Sequence, residues 1–374
     1  MTIAFDVSYI QKQRTGYGRY STELLQGLIE NDHDNKYILH GWSYSLDMEK
    51  ISTYKSDKIC LNTTRIPGLI KRTYWNSIRT PKLESLIGEF DIFFGAEPLL
   101  PPTGKKTIAT MHDLSYKRYP QFFEAGVRKW DPYVIRSMDQ ANAVIVPSNN
   151  TKNDLIELLH VPAEKIHIVY PPVGGNFSPQ GSERDKALLR EMGTPEQYIL
   201  FTGTLEPRKN IPFLVKAFER FHRDHPEVYL LIAGKRGWLY DDILKSITHS
   251  AASKNIRHLD FVSEEMLQAL YRSALFFVFP SIYEGWGSPV AEAMASGTPV
   301  ITSKTSSLGE IGNNAAFLID PTRADELTDA MRRLYSDENM RKELNRKGLE
   351  RVIDFSRRNA AEKILGIYRL LKTR

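Results

Sequence analysis

The sequence predicts two doubly wound α/β domains in series, and three observations carry that expectation. Short β-rich apolar runs alternate with helical patterns along the whole chain. The alternation halts at a proline-glycine stretch near the middle and then restarts. The length of 374 residues exceeds what one hydrophobic core ordinarily organises. The first set comprises TIAFDVSYI, the helical RYSTELLQGLIEN, KYILHGW, DIFFGA, KTIATM, NAVIVPS, the helical NTKNDLIELL and KIHIVYPP. The second opens with QYILFTG and runs through the helical IPFLVKAFERFHRDH, VYLLIAG, the helical DDILKSITHSAA, HLDFV, the helical EEMLQALYRSA and LFFVFPS to a helix begun at a glycine turn, closing on TPVITS and AAFLID. Apolar strands alternating with helices are the sequence form of a parallel sheet covered on both faces. The boundary falls in Pro171-Pro172-Val173-Gly174-Gly175, where two stiff residues precede two permissive ones. The expected domains are therefore 1–173 and 174–354. After Phe355, RRNAAEKILGIYRLLKTR is amphipathic and basic, so a terminal helix over 355–374 is expected to pack across the domains.

Composition excludes several classes. A hydrophobic fraction of 41% with 25% charged residues is that of a folded globular chain and not of a disordered one. No stretch approaches the roughly 18 uninterrupted apolar residues of a membrane span. The N-terminus has neither a basic leader nor a small-residue cleavage site, so no secretion signal is expected. Cys60 is the sole cysteine, which rules out an internal disulfide and suits a cytoplasmic location. The net charge of +5 fits phosphorylated ligands, anionic lipid or nucleic acid, and also plain solubility. Its distribution is more telling: in RIPGLIKRTYWNSIRTPK, the five bases Arg65, Lys71, Arg72, Arg79 and Lys82 alternate with Ile, Leu, Tyr and Trp without an intervening acid. That stretch is a candidate contact with an anionic membrane surface, or equally a half-buried helix whose long basic side chains reach out to water.

The chemistry concentrates in the second half. SIYEGWGSPVAEAMA, from Ser281 to Ala295, follows the strand LFFVF and sets Glu284 before a glycine turn and Glu292 beyond it in a helical pattern. Gly285, Gly287 and Pro289 leave backbone N–H groups free at a helix start, where an anion such as phosphate is favoured. Two acids eight apart are common in themselves; what surrounds them suggests that they flank one bound molecule, read here as a nucleotide sugar. After QYILFTG comes TLEPRKN, with Arg208 and Lys209 just before the next helix. A forked guanidinium beside a compact ammonium at a strand end is suited to a diphosphate, although an arbitrary exposed Arg-Lys pair is usually only solvated. In the first half, Thr15-Gly16-Tyr17-Gly18-Arg19 joins the opening strand to a helix, so a phosphate could approach Gly16 and Gly18 without meeting a Cβ. A lone Gly-x-Gly does not complete a dinucleotide fingerprint. His112-Asp113 follows KTIATM, where a histidine could donate to a sugar hydroxyl or serve the fold alone. Neither paired cysteines nor histidines at ligand spacing occur, so no metal and no cofactor are expected.

Taken together, FTGTLEPRKN, the block from Phe279 to Pro299, TSSLGEIGNNAAFLIDP and VSYIQKQRTGYGRYSTELL resemble a retaining glycosyltransferase of group 1, also called family 4. The likeness spans nearly the whole chain; the Glu-x7-Glu block and the Arg-Lys turn are specific to the family, whereas Gly-x-Gly and His-Asp are not. The resemblance implies a GT-B fold: two facing Rossmann-like domains, the acceptor bound mainly by the first, the nucleotide sugar mainly by the second, and the last helix returning to the first. Carried over by position, it implies that Arg208 and Lys209 hold the donor diphosphate and Glu292 binds the ribose. Glu284 would lie by the transferred sugar, with Gly285, Trp286 and Gly287 around its hydroxyls. His112 would contact the sugar or support the reacting centre, Gly16 and Gly18 would lie against the phosphates, and Ser306 and Ser307 would belong to a segment near the donor. Three features depart from the family pattern: Thr204 where many members have arginine, Trp286 and Ser288 where Phe and Leu are common, and Gly309 in place of a usual proline.

The expected activity is transfer of a hexose with retention and without a metal, the leaving diphosphate being stabilised by Arg208, Lys209 and backbone amides. GTLEPRKN and AGKRGWL resemble mannosyltransferases using GDP-mannose in O-antigen or capsule synthesis; UDP-glucose, UDP-N-acetylglucosamine or a deoxysugar donor are the alternatives. The basic apolar stretch suggests a lipid-linked acceptor at the cytoplasmic membrane face. Two further classes compete. A non-enzymatic basic module would bind heparin and ignore nucleotide sugars, but no basic-aromatic nucleic-acid signature supports it. An epimerase or phosphorylase on the same fold would act without a saccharide acceptor or with a cofactor lysine.

Overall fold

The computed structural model describes residues 1–11, 16–42, 46–64, 73, 75–124 and 126–373. The chain divides into two compact units: Met1–Leu114 with Arg128–Pro172 and Ser356–Arg374, and Ser115–Val127 with Val173–Phe355. Relative to a boundary at 173, residues 115–127 go to the second unit. The physical reason is aromatic: Phe123 stacks on Trp238 at 5.5 Å, the Trp238 indole donates to the Phe122 carbonyl at 2.6 Å, and Tyr119 lies 5.6 Å from Tyr283.

The first unit carries a seven-stranded sheet among the described residues, with β1 (Thr2–Asp6), β2 (Lys36–Trp42), β3 (Ile59–Thr64), β4 (Ile92–Phe94), β5 (Lys106–Thr110), β6 (Ala143–Val146) and β7 (Ile166–Ile168) in the order β3-β2-β1-β4-β5-β6-β7. The paired strands run parallel, with β1 between β2 (Ala4 opposite Ile38) and β4 (Ala4 opposite Phe93). β4 and β6 are buried at every residue, as expected of strands covered on both faces. The helix Gly16–Asn31 crosses from β1 to β2. Against it packs the last helix, Arg357–Thr373, whose buried Ala360, Ala361, Ile364, Ile367, Tyr368 and Leu371 follow the spacing of one helical face. Arg357 fixes the pair through Glu23 at 2.7 Å and Glu30 at 3.3 Å. The amphipathic C-terminal helix thus belongs to the first unit although the chain reaches it from the second.

The second unit repeats the plan. β8 (Tyr198–Thr202), β9 (Tyr229–Ala233), β10 (Ile256–Asp260), β11 (Phe276–Phe279), β12 (Val300–Ser303) and β13 (Phe317–Ile319) form the sheet β10-β9-β8-β11-β12-β13. In both sheets the strand order reverses beside the opening strand, at β1/β4 and at β8/β11. Doubly wound sheets bind ligands in the crevice outside the carboxyl ends of the strands at such a reversal. The helix Ile211–His222 shows why this sequence folds so: Pro212 starts it, and Ile211, Leu214, Val215, Phe218 and Phe221 recur at helical spacing and are buried. No described helix is long and apolar enough to cross a membrane.

Candidate active site

At the β8/β11 reversal the chain buries four charges together. Pro207–Lys209 forms one 3₁₀ turn after β8, and Asn210 follows in the left-handed region (φ 60°), its side-chain amide donating to the carbonyls of Pro280 (3.2 Å) and Pro321 (2.8 Å). The Ile282 N–H donates to the Arg208 carbonyl at 2.9 Å, so the turn after β8 is stapled to the loop after β11. Across that staple, Arg208 pairs with Glu284 and with Glu206 (2.6 Å), while the Lys209 ammonium meets Glu284 at 2.6 Å and lies 4.0 Å from Glu206. The side chains are 15% (Arg208), 9% (Lys209), 7% (Glu284) and 3% (Glu206) exposed, so the quartet has lost most of its water. Arg208 also donates to the Tyr283 carbonyl at 3.2 Å, and Lys209 sits 4.8 Å above the Phe279 ring.

Two cations against two carboxylates make the cluster neutral, which is how buried charge is tolerated. Burial favours the neutral acid at Glu284, but Arg208 and Lys209 outweigh it and bring the carboxyl down to about 2. Burial, and after it Arg208, push Lys209 below its usual value against the pull of Glu284 and Glu206. Both cations are therefore preorganised by carboxylates, and an incoming anion would share them with Glu206 and Glu284.

The loop that carries Glu284, from the end of β11 onward, is held from β12 and the helix Ser306–Gly312. Hydroxyls of Thr302, Ser303 and Thr305 donate to the carbonyls of Phe279 (2.8 Å), Ser281 (2.7 Å) and Ile282 (3.3 Å). The Glu284 N–H donates to the Ser306 hydroxyl at 3.2 Å, and the single hydroxyl proton of Ser307 is shared between the carbonyls of Glu284 (2.9 Å) and Trp286 (2.5 Å). Gly287 then starts the helix Ser288–Ala295 at φ 121°, where a Cβ would come within 2.6 Å of Leu308, so only glycine fits. No side chain caps this helix.

Two family descriptions match this chain: "Glycosyl transferases group 1" over residues 188–351 and "Glycosyltransferase Family 4" over residues 14–174. The chain belongs to the group 1 glycosyltransferases. The O-antigen chain mannosyltransferase B of Escherichia coli is 28% identical to this glycosyltransferase over 383 residues, covering 99% of this chain and 100% of that one. Among solved structures, a sucrose-phosphate synthase from Thermosynechococcus elongatus superposes with a TM-score of 0.75 at 19% identity, covering 100% and 99% of the two chains. Anabaena HepE in complex with UDP and glucose gives 0.74 at 15%, covering 98% and 99%. The fold of the glycosyltransferase is GT-B.

In the glycosyltransferase, Arg208, Lys209, Glu284, Gly285, Gly287, Ser306 and Ser307 gather around one loop system of the second unit. Glu292 has a separate partner: its carboxylate accepts from the Tyr271 hydroxyl at 3.1 Å, and that hydroxyl also meets Thr202 at 2.6 Å. Trp286 turns inward, edge-on to Phe355 at 4.9 Å, so its ring serves packing. Ser307 is fully buried and its hydroxyl is committed to loop carbonyls. Gly309, one of the departures from the family pattern, lets the helix approach: a Cβ there would sit 2.4 Å from the Lys304 carbonyl oxygen. Glu206 was not singled out in the sequence, nor were the hydroxyls of Thr302, Ser303 and Thr305. Their signals were an acid two residues before Arg208 and the hydroxyl-rich run TSKTSS.

Gly16, Gly18 and His112 lie in the first unit. Gly16 and Gly18 form the first turn of the helix itself, not a loop before it, and nothing lies within 4 Å of a Cβ placed on Gly16; Thr15 lies outside the described residues. That turn packs on His112, with the Tyr17 ring 4.3 Å and the Tyr20 ring 5.0 Å from the imidazole. His112 Nε2 is 3.0 Å from the Ala96 carbonyl, which it can only approach as a donor. In the neutral ring Nδ1 is then an acceptor, the reverse of a histidine that donates to a sugar. Burial pushes His112 down to about 4 from its ordinary 6.5, against the Ala96 carbonyl and Asp113. The folded state thus binds its proton more weakly than the unfolded one, so His112 contributes stability above pH 6.5 that is lost as pH falls from 6.5 towards 4. His112→Gln is expected to flatten the melting temperature across that window; an unchanged slope would show that other groups set it.

Proposed function

We propose that the protein transfers mannose from GDP-mannose, with retention and without a metal ion, to a saccharide acceptor in cell-surface polysaccharide synthesis. The observation that carries the reading is the buried quartet of Glu206, Arg208, Lys209 and Glu284 at the β8/β11 reversal. Two fixed cations in a water-poor setting supply what a departing diphosphate needs, because preorganised charge acts where charge develops and needs no reorganisation. Glu284, held ionised by both cations, acts as a positioner; a donor phosphate oxygen takes the acceptor proton on the front face of the sugar. Glu292 is assigned to the ribose. The choice of mannose leans on likeness to an O-antigen mannosyltransferase over the whole chain. Thermal-shift measurement with GDP, UDP, ADP and dTDP tests the donor: selective stabilisation by GDP is expected, since only a ligand of the native state raises its melting temperature. Stabilisation by UDP alone would replace GDP-mannose with a uridine donor.

The acceptor is assigned as lipid-linked, at the cytoplasmic face of the membrane. Of the five bases invoked, Arg65, Lys71 and Arg72 lie outside the described residues; Arg79 and Lys82 are exposed, as is Ile78, while Trp75 is buried. Arg79→Glu with Lys82→Glu is expected to weaken flotation with vesicles containing anionic lipid, each lost base costing about 1 kcal/mol of attraction. Equal flotation of variant and wild type would remove the membrane contact from the account.

A further inference from the structure

Two hydroxyls that no step of the proposed transfer uses stand in line behind Glu292. Glu292 lies in the second turn of the helix Ser288–Ala295, Tyr271 near the end of the helix Glu264–Ser273, and Thr202 at the end of β8. All three side chains are buried. The Tyr271 hydroxyl donates to Glu292 Oε2 at 3.1 Å and meets the Thr202 hydroxyl at 2.6 Å. An ionised carboxylate has no proton to give and a phenol has one, so the direction is fixed: Thr202 donates to Tyr271, and Tyr271 to Glu292. The tyrosine itself is clamped. Its ring lies edge-on to Phe277 at 5.4 Å and to Phe177 at 6.0 Å, and its backbone carbonyl accepts from the Thr298 hydroxyl at 2.7 Å.

A glutamate on a helix ordinarily samples several rotamers, whereas one pinned through Oε2 by a clamped phenol keeps its carboxylate plane. That plane matters for a ribose, whose two neighbouring hydroxyls can both donate to one carboxylate only if its oxygens are held at the right tilt. Tyr271 takes one of the roughly four acceptor sites of such a group. Hydroxyls in series polarise one another, so loss of either link is felt at the carboxylate. We infer that Tyr271 and Thr202 are positioning residues for transfer, a two-hydroxyl relay that orients Glu292 towards the ribose diol of the donor. The inference rests on the assignment of Glu292 to the ribose and adds the residues that make that carboxylate selective for a diol.

The test is calorimetric titration of the full chain with GDP and with its 2′,3′-dideoxy analogue, which lacks both hydroxyls. UDP and dideoxy-UDP run in parallel, so that a uridine donor leaves the comparison intact. Wild type is expected to prefer the ribonucleotide by about tenfold, the scale of a hydrogen bond to a charged group. Tyr271→Phe keeps the ring packing and is expected to lose most of that preference, binding the ribonucleotide about tenfold more weakly and the dideoxy analogue as wild type does. Thr202→Val should lose part of the preference, and Thr202→Ser, which keeps the hydroxyl, should retain it. A purely structural role would move both nucleotides alike. The inference is overturned if Tyr271→Phe keeps the wild-type preference or weakens the two nucleotides equally; should that variant not melt cooperatively, the two Thr202 variants decide by the same comparison. Glu292→Gln separates the readings. If it abolishes the preference while Tyr271→Phe and Thr202→Val keep it, Glu292 meets the ribose without the relay and this inference alone falls. If Glu292→Gln keeps the preference, or wild type shows none, the ribose assignment falls and the relay with it.

Discussion

Lys209→Met should lower transfer by at least about a hundredfold, the scale on which loss of one preorganised charge-stabilising donor is felt. Methionine keeps the length and apolar stem of lysine, so Phe279 retains its neighbour and little cavity opens. What disappears is one of the two positive charges that would face a developing diphosphate. The variant also leaves Glu284 and Glu206 with Arg208 alone, a net negative cluster that repels the phosphates. Steady-state rates with a melting curve on the same preparation check this: a large fall in kcat with a cooperative melt is expected, and near-normal turnover would remove Lys209 from catalysis.

Glu284→Ala should have the largest effect on stability. It strips the shared carboxylate from Arg208 and Lys209, and breaking a buried pair by removing one partner typically costs about 3–5 kcal/mol. The Arg208 contact to the Tyr283 carbonyl remains, as does the Glu206 pair, so the chain still folds but melts lower. The two released cations are better placed to take a diphosphate, so GDP should raise the melting temperature of Glu284→Ala by more than that of wild type. Chemical denaturation reads the stability loss, and thermal melts with and without GDP read the shift. Wild-type stability in the variant would mean that Glu284 is not holding the cations together. Acid should mimic the substitution: with the Glu284 carboxyl at about 2 in the fold against an ordinary 4.5, its contribution is complete above 4.5 and is lost as pH falls from there towards 2.

Much of the fold was legible because parallel strands covered on both faces leave a strong trace. FFVF and AVIV are buried at every position, and nothing in their composition competes with a strand assignment. β3 was not legible: ICLNTT sits at a sheet edge, with Ile59 buried and Cys60 exposed, so it carries neither an apolar run nor alternation. The helices Ala324–Ser336 and Glu338–Arg351 also went unread, the second because only Gly348 in it is buried. At the site, Arg208, Lys209 and Glu284 were legible from turn chemistry next to strand ends. Which carboxylates would face the cations was not, because the choice of Glu206 over Glu292 depends on how the β8 turn is stapled beneath β11. The inward turn of Trp286 onto Phe355 is a contact between residues 69 positions apart, beyond any local pattern. The allegiance of residues 115–127 to the second unit is likewise set by Trp238, far along the chain.

Calorimetric titration of GDP into wild type and Lys209→Met bears most directly on the claim that the buried quartet receives the diphosphate. Wild type should bind, and the variant should lose at least about tenfold in affinity, or 1.4 kcal/mol. Equal affinity in the two proteins would contradict the account, because a diphosphate held elsewhere would not register the missing ammonium.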